Sequence, residues 1–343
     1  LLLRAGAGDL TGGWLSSSVA SMWIFTPDQT AAARSISSAI LGNINLVKAG
    51  SGTLVLASTL AGTPAFSANS NTGSVYLNEG TLRMGANNAL GLAGATQLFS
   101  NAGSTLDLNG KFLLVNQLWT QGAAVGATVP GGVFTSSAGS GASSALIVGG
   151  AGNPFFSGSI TGAEVSFARF GTNTTTFLAR NDYRGVTALS GVTFTLNDFG
   201  ALSATQSLDL GYGSLILDNT GLVDLPDRIA NAAPLSLRGA TLQLKGRAQT
   251  ASAETLGALT LQEGLSTLTL TPGGTGINSV DLTLASLTQM PGAMLNLNAT
   301  NLGLAGSGAR LRVLAAPALV GNILPWAVVN GVEFASYLDY STA

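Results

Sequence analysis

The stretch LVKAGSGTLVLAS, residues 46–58, decides the fold, because its pattern recurs along the chain. A lysine and a Gly-Ser-Gly turn lead into Thr53-Leu54-Val55-Leu56. Successive side chains of a β-strand point to opposite faces, so Leu54 and Leu56 share one face. The pattern predicts a short strand that buries both leucines and leaves Thr53 facing outward. In this interpretation Lys48 belongs to a solvated face or is a fixed part of the repeated pattern.

Six more phrases of this kind follow. They are GTLRM (80–84), STLDL (104–108), GSLIL (213–217), ATLQL (240–244), STLTL (266–270) and AMLNL (293–297). Within the first three phrases and within the last four, the first leucines lie 24 to 28 residues apart. These leucines are Leu54, Leu82, Leu106, Leu215, Leu242, Leu268 and Leu295. Arg83 and Asp107 fall between inward positions, and the alternation predicts that both face water.

A period in the mid-twenties is too long for a hairpin repeat and too short for a propeller blade. It suits one turn of a parallel β-helix, in which short strands stack on those of the next turn. Glycine and asparagine flank the phrases, as sharp corners with positive φ require. At about 25 residues per turn, the sequence predicts an all-β solenoid of roughly 13 turns.

Composition excludes several kinds of chemistry. Only 9% of the 343 residues are charged, whereas an ordinary soluble protein has about a quarter, and the chain has no cysteine and no histidine. It therefore lacks the commonest general base and every Cys-His or Ser-His-Asp arrangement. The formal net charge of -2 provides no basic patch, so neither nucleic acid nor an anionic membrane surface is a predicted partner.

The acidic residues are scattered, and their densest run is DNTGLVDLPDR, residues 218–228. We interpret Asp224, Asp227 and Arg228 as a solvated turn. The sequence DYR at 182–184 is interpreted as a surface pair. No catalytic residue, metal ligand or cofactor site is predicted. Parallel β-helices include enzymes that act on polysaccharides, so such an enzyme stays a third hypothesis.

Aromatic residues provide no evident platform in the sequence. Trp14, Trp23, Trp119 and Trp326 lie far apart, and isolated tryptophans in an apolar chain are more typical of a core or a cap than of a glycan site. For the same reason residues 155–156, both Phe, and Phe167 with Phe170 are predicted to stack in the interior.

Residues 46–91, in which LVKAGSGTLVLAS is followed by GSVYLNEGTLRMGANNALG, resemble the autotransporter-associated β-strand repeat. Weaker echoes are NAGSTLDLNG (101–110) and LGYGSLILDNTG (210–221). The phrase ILPWAVVNGVEFASYL (323–338) looks like one from very large repeat proteins of environmental bacteria. The resemblance implies a right-handed parallel β-helix, exported and located at the cell surface or in the extracellular space. Such proteins serve adhesion, aggregation or surface coating.

The predicted organisation is one elongated domain. Residues 1–45 would form N-terminal turns or a cap, 46–312 the repeats, and 313–343 C-terminal turns or a subunit-joining segment. The Gly- and Ser-rich segment 122–152 is interpreted as continuous turns with an exposed loop. Residues 313–329 are apolar, but Pro317 and Pro325 favour buried strands over a membrane span. The missing initiator Met predicts a processed product or a piece of a longer protein.

Neither end offers a charged cap, since residues 1–3 are all leucine and 334–340 read FASYLDY. Open strand edges invite pairing with another chain, and sparse surface charge favours association. The sequence therefore predicts a non-enzymatic structural protein whose partner is a second copy of itself, joined end to end or by strand addition into an extracellular fibre or surface layer. The alternative is a monomeric rod-like adhesin that binds cells or glycans.

Overall fold

The computed structural model describes residues 1–4, 9–27, 32–63, 65–123, 129–274, 278–303 and 308–337. Within these residues the chain forms 33 β-strands and contains no α-helix. The predicted all-β class is therefore confirmed. The chain divides into two compact units, Leu1–Val186 (unit 1) and Thr187–Ala343 (unit 2).

Most strands are short, and those that begin in unit 1 are two to six residues long. They are β1 (Trp14–Leu15), β2 (Ser21–Phe25), β3 (Arg34–Ile36), β4 (Ala39–Ile40), β5 (Asn45–Ala49), β6 (Thr53–Leu56), β7 (Val75–Leu77), β8 (Gly80–Met84), β9 (Gln97–Ser100), β10 (Ser104–Asp107), β11 (Phe112–Val115), β12 (Gln117–Trp119), β13 (Val133–Thr135), β14 (Ser144–Val148), β15 (Phe155–Phe156), β16 (Ser159–Ile160), β17 (Val165–Phe170), β18 (Thr174–Phe177), β19 (Arg180–Asn181) and β20 (Val186–Ser190).

The strands of unit 2 include longer ones, of up to 13 residues. They are β21 (Thr193–Leu196), β22 (Ala201–Leu202), β23 (Ser207–Gly211), β24 (Ser214–Asp218), β25 (Leu235–Arg238), β26 (Thr241–Ala248), β27 (Ala251–Glu263), β28 (Leu265–Gly273), β29 (Ser279–Gln289), β30 (Met294–Ala299), β31 (Ala309–Ala315), β32 (Leu324–Val329) and β33 (Glu333–Ala335).

Parallel sheets built from strands that are not consecutive in the chain make up unit 1. One sheet has the order β16-β13-β10-β8-β6-β3, and a second has the order β12-β9-β7-β5-β2. A third group pairs β11 with β14 and β14 with β17. Each strand thus pairs with one that lies two or three strands away in the chain, which requires a crossover connection rather than a hairpin.

The repeated phrases of unit 1 lie side by side in register. Leu54 pairs with Leu82, Leu82 with Leu106, and Leu106 with Phe134. All four side chains are fully buried, while the threonines that precede the three leucines lie at partly exposed positions. Full burial of one such side chain stabilises the fold by about 1.5–3 kcal/mol. The predicted stacking of Leu54 and Leu56 is confirmed, since Leu56 pairs with Met84.

Two parallel sheets dominate unit 2. Their orders are β23-β25-β27-β29-β31 and β21-β24-β26-β28-β30-β32-β33, and only the β32–β33 pair is antiparallel among these described strands. Leu215, Leu242 and Leu268 pair in register as predicted. The next partner of Leu268 is Leu297, two residues beyond Leu295, the first leucine of the phrase AMLNL. Both leucines point inward, and a shift of two residues leaves every side chain on the same face.

The corner ahead of β6 explains the glycines of the opening phrase. Gly50 has φ 78° and Gly80 has φ 69°, in the left-handed region that glycine tolerates best. A Cβ atom on Gly80 would lie 2.4 Å from the carbonyl oxygen of Gly50. The backbones of two successive corners are therefore too close for a side chain.

Strands occur in two segments for which the sequence allowed more than one structure. The segment 122–152 contains β13 and β14, although its residues 124–128 lie outside the described ones. The apolar segment 313–329 contributes to β31 and β32, but only Leu324 and Ala327 are buried in it. The predicted strands are present, whereas the predicted burial fails for most of the segment, where β31 is the last described strand of its sheet.

Candidate functional site

Lys48 is buried rather than solvated, which corrects its interpretation as part of a solvated face. Its side chain points into unit 1, and the ammonium Nζ donates hydrogen bonds to the carbonyl oxygens of Gly50 at 2.6 Å and Glu79 at 2.9 Å. Burial lowers the pKa of Lys48 to about 8, against an opposing effect of the nearby Glu79 carboxylate. The lysine of the repeated phrase therefore holds two corners together and is inaccessible to a ligand.

Asp107 is likewise buried, so the prediction that it faces water was wrong. Its carboxylate accepts hydrogen bonds from Ser137 N at 2.8 Å and Ser137 Oγ at 2.6 Å, and forms a 2.6 Å ion pair with Arg83. Burial alone would raise the pKa of Asp107, but the hydrogen bonds from Ser137 and Arg83 outweigh it and hold the pKa below its usual value. The half-exposed Arg83 does face outward, as predicted.

The run 218–228 contains a buried cation, which corrects its interpretation as a solvated turn. The guanidinium of Arg228 donates to Asn219 Oδ1 at 2.7 Å, to the Gly200 carbonyl at 2.7 Å and to the Asp218 carbonyl at 2.8 Å. Asp227 is exposed and Asp224 is partly exposed. Arg228 thus anchors the loop, and of the two acidic residues Asp227 is exposed as predicted, whereas the Oδ1 atom of Asp224 is buried.

Glu254 lies beneath this loop and is 1% exposed. Its two carboxyl oxygens accept the backbone N–H groups of Arg228 and Ile229, each at 3.0 Å. Burial raises the pKa of Glu254 to about 8, although both N–H donors oppose the shift. A buried carboxyl group with a raised pKa is typical of a general acid, but this one has no access to solvent. We therefore assign it a structural role.

Asp182 and Arg184 are exposed, as predicted for the surface pair at 182–184, but the ion pairs between described residues do not include one that joins them. Tyr183 between them is fully buried and packs against Phe167, with ring centroids 6.4 Å apart. The predicted interior stacking holds for Phe156 and Phe167, which are buried. It fails for Phe170, which is 43% exposed at the end of β17.

The sequence predicts a core or a cap for the tryptophans, and the structure contradicts the core. Trp14 is 74% exposed and Trp23 is 60% exposed, so neither lies in a core. Trp119 and Trp326 are partly exposed. Trp23 and Trp119, far apart in the chain, lie on the same face of one sheet of unit 1.

This face carries a continuous row of apolar side chains, here called the aromatic row. Across neighbouring strands, Trp23 pairs with Val47, Val47 with Tyr76, Tyr76 with Phe99, and Phe99 with Trp119. The Tyr76 and Phe99 ring centroids are 4.7 Å apart at an interplanar angle of 11°, and those of Phe99 and Trp119 are 6.3 Å apart at 12°. The row recurs at close to the repeat spacing, a signal that aligning the phrases would have revealed.

A second surface feature is the concentration of exposed apolar side chains in the first and the last described segments of the chain. Six lie within the described residues of 1–27 and five within 308–337, compared with twelve in all the described residues of 32–303. They are Leu1, Leu2, Trp14, Val19, Trp23 and Phe25 in the first group, and Leu314, Val320, Val332, Phe334 and Tyr337 in the second.

In the described part of the chain, no group of three or more acidic side chains is placed to bind a metal ion. Among the described residues there is also no helix that is long and apolar enough to span a membrane.

Comparison with protein-family models, with curated proteins and with solved structures finds no match for the chain. The likeness of residues 46–91 to the autotransporter-associated repeat therefore stays a prediction.

Proposed function

We propose that the protein is a non-catalytic structural protein of the bacterial exterior, a right-handed parallel β-solenoid that associates end to end with copies of itself. The product would be an extracellular fibre or a surface layer. The exterior location rests on the resemblance of residues 46–91 to the autotransporter-associated repeat. Association rests on the sheet ends.

The solenoid part of the proposal is supported by the strand order within each unit. In unit 2 the chain alternates between two sheets, so that β24, β26, β28 and β30 belong to one and β25, β27 and β29 to the other. Parallel neighbours two strands apart in the chain are what a coil produces when each turn stacks on the last. Right-handed crossovers are by far the commonest for parallel strands.

The observation that carries the association proposal is the apolar surface on the terminal strands. Leu314 is 68% exposed on β31, which ends its sheet after β29. In unit 1, Leu2 makes a parallel bridge to Phe25 of β2, which ends another sheet, and both are exposed. Exposed apolar patches beside an unpaired strand edge are typical of surfaces that pair with another chain.

The proposed contact is heterologous, because a parallel edge strand of unit 2 and the apolar first strands of unit 1 are different surfaces. A heterologous contact that does not close into a ring produces an open filament. β33 covers one edge of β32 by antiparallel pairing, whereas among the described residues the outer edge of β31 is paired only at its first residue, where Ala309 bridges to Leu302. We therefore place β31 at the contact. The low charge of the chain removes the repulsion that commonly protects edge strands.

Sedimentation velocity over a wide range of protein concentration tests this function. We expect the wild-type chain to form species that grow in size with concentration. Leu314→Lys places a charge at the β31 edge and should keep the chain monomeric. The control is Leu265→Lys, because Leu265 is 57% exposed on β28, which has a neighbour on each side. A wild-type chain that stays monomeric throughout, or equal effects of both substitutions, would contradict the proposal.

A further inference from the structure

We infer that the aromatic row of unit 1 is a binding site for an uncharged polysaccharide chain. The inference does not rest on the proposed end-to-end association, although both involve β2, because the row lies on a sheet face and the proposed contact lies at a strand edge. It rests on the ring geometry, on the polar groups beside the rings and on the charge of the face.

The rings are held in place before any ligand arrives. Tyr76, Phe99 and Trp119 stack in near-parallel planes, and Trp119 Nε1 donates a 2.6 Å hydrogen bond to Gln117 Oε1. Side chains that are already fixed lose little conformational freedom on binding. Trp23 is in none of the ring contacts between described residues, and it is 60% exposed. Its indole therefore offers an open aromatic face at one end of the row.

Amide side chains flank the row on both sides. Asn45, Gln97 and Gln117 each lie two residues before a member of the row and so share its face. On the other side, Asn101 Nδ2 donates to Asn78 Oδ1 at 2.8 Å. An amide group both donates and accepts hydrogen bonds, as the hydroxyl groups around a sugar ring require. Tyr76 and Phe99 cover each other's ring faces, so the open face for the C–H groups of a sugar is that of Trp23, and the amides serve the hydroxyls of the sugar.

The charge of this sheet face indicates which class of saccharide it can bind. The five strands of this sheet read SMWIF, NLVKA, VYL, QLFS and QLW, and their only charged residue is Lys48, which points inward. The face therefore offers no cation to neutralise a carboxylate, a sulfate or a phosphate. The uncharged face is therefore suited to an uncharged saccharide.

The dimensions of the aromatic row favour a linear saccharide over a second copy of the protein as its ligand. Strands spaced about 4.8 Å apart place Trp23 roughly 20 Å from Trp119. A row of that length and one side chain wide covers far less than the about 800 Å² per partner that a stable protein interface buries. An extended saccharide can lie along the whole row.

Affinity electrophoresis tests the inference, with the purified chain run through gels that contain a neutral β-glucan, a neutral galactomannan or anionic alginate. We expect retardation in at least one neutral gel and none in alginate. Trp23→Ala and Trp119→Ala should weaken the retardation about tenfold. Trp14→Ala is the matched control, because Trp14 is even more exposed than Trp23 but lies in a different sheet, and it should bind like the wild type.

Each other outcome overturns the inference. The inference fails if neither neutral gel retards the chain, if alginate retards it more strongly, or if Trp14→Ala loses as much binding as Trp23→Ala. A change in sedimentation for Trp23→Ala without a change in retardation would assign the row to contacts between copies of the chain instead. Trp23 is a surface residue, so this variant stays informative if Trp119→Ala unfolds, and circular dichroism checks the fold of each.

Discussion

The ammonium group of Lys48 donates a 2.9 Å hydrogen bond to the carbonyl oxygen of Glu79, which lies 31 positions further along the chain. The same ammonium donates to Gly50, which forms the corner of its own turn. A single buried cation thus connects two successive corners of unit 1. This role explains why a lysine occurs in a phrase that is otherwise apolar or small.

Replacement of Lys48 by methionine should destabilise unit 1. The change keeps the length of the side chain but leaves buried carbonyl oxygens without a donor, which costs about 1–3 kcal/mol. Urea unfolding followed by circular dichroism measures the loss. Lys111→Met is the control, since Lys111 is partly exposed, and its unfolding midpoint should stay close to that of the wild type. Equal midpoints for the two variants would mean that the Lys48 contacts contribute nothing.

The row of leucines in unit 1 should be sensitive to cavities. Leu106 is fully buried between Leu82 and Phe134, so Leu106→Ala should cost about 2–5 kcal/mol of stability. Thr105→Ala on the outward side of the same strand should cost less than about 0.5 kcal/mol. The free energies of unfolding of the two variants measure the difference. Similar losses at both positions would contradict the assigned faces of β10.

Alanine substitutions at two glycines can distinguish the stability cost of a steric clash from that of backbone strain. Gly80 and Gly103 both have positive φ, at 69° and 80°, but only at Gly80 would a Cβ atom meet backbone, whereas at Gly103 it would meet nothing within 4 Å. Gly103→Ala should therefore cost only the left-handed backbone penalty of about 1–2 kcal/mol. Gly80→Ala should cost clearly more, as measured by thermal unfolding. A smaller loss at Gly80 would show that the corners are not packed as closely as described.

Glu254 should make the stability of unit 2 depend on pH. Its pKa is raised from 4.5 to about 8 on folding, so the folded state binds the proton more tightly. This contribution is fully present below about pH 4.5, declines as pH rises and is lost above about pH 8. Glu254→Gln should flatten the decline, whereas exposed Glu333→Gln should preserve it. Hydrogen exchange of the peptides around β25 and β27 measures the effect, and parallel curves for wild type and Glu254→Gln would refute it.

Periodicity predicted the strands, the inward leucines and their register from Leu54 to Leu106, because alternation of side chains is a local property. It missed the burial of Lys48, Asp107 and Arg228. Whether a charged side chain is buried depends on carbonyl or hydroxyl partners elsewhere in the chain, which alternation does not encode.

The aromatic row was missed for a related reason. Trp23 and Trp119 come together only through the register of three intervening strands, one of which contributes Val47 rather than an aromatic residue. The pattern also could not predict that Leu268 pairs with Leu297 rather than with Leu295, since both of these leucines face inward.

Electron microscopy of the concentrated protein in negative stain tests the central claim, end-to-end association, most directly. The account predicts unbranched filaments that lengthen with protein concentration for the wild type and for Leu265→Lys, and their absence for Leu314→Lys. Uniform particles of monomer size at every concentration, salt and pH would contradict it.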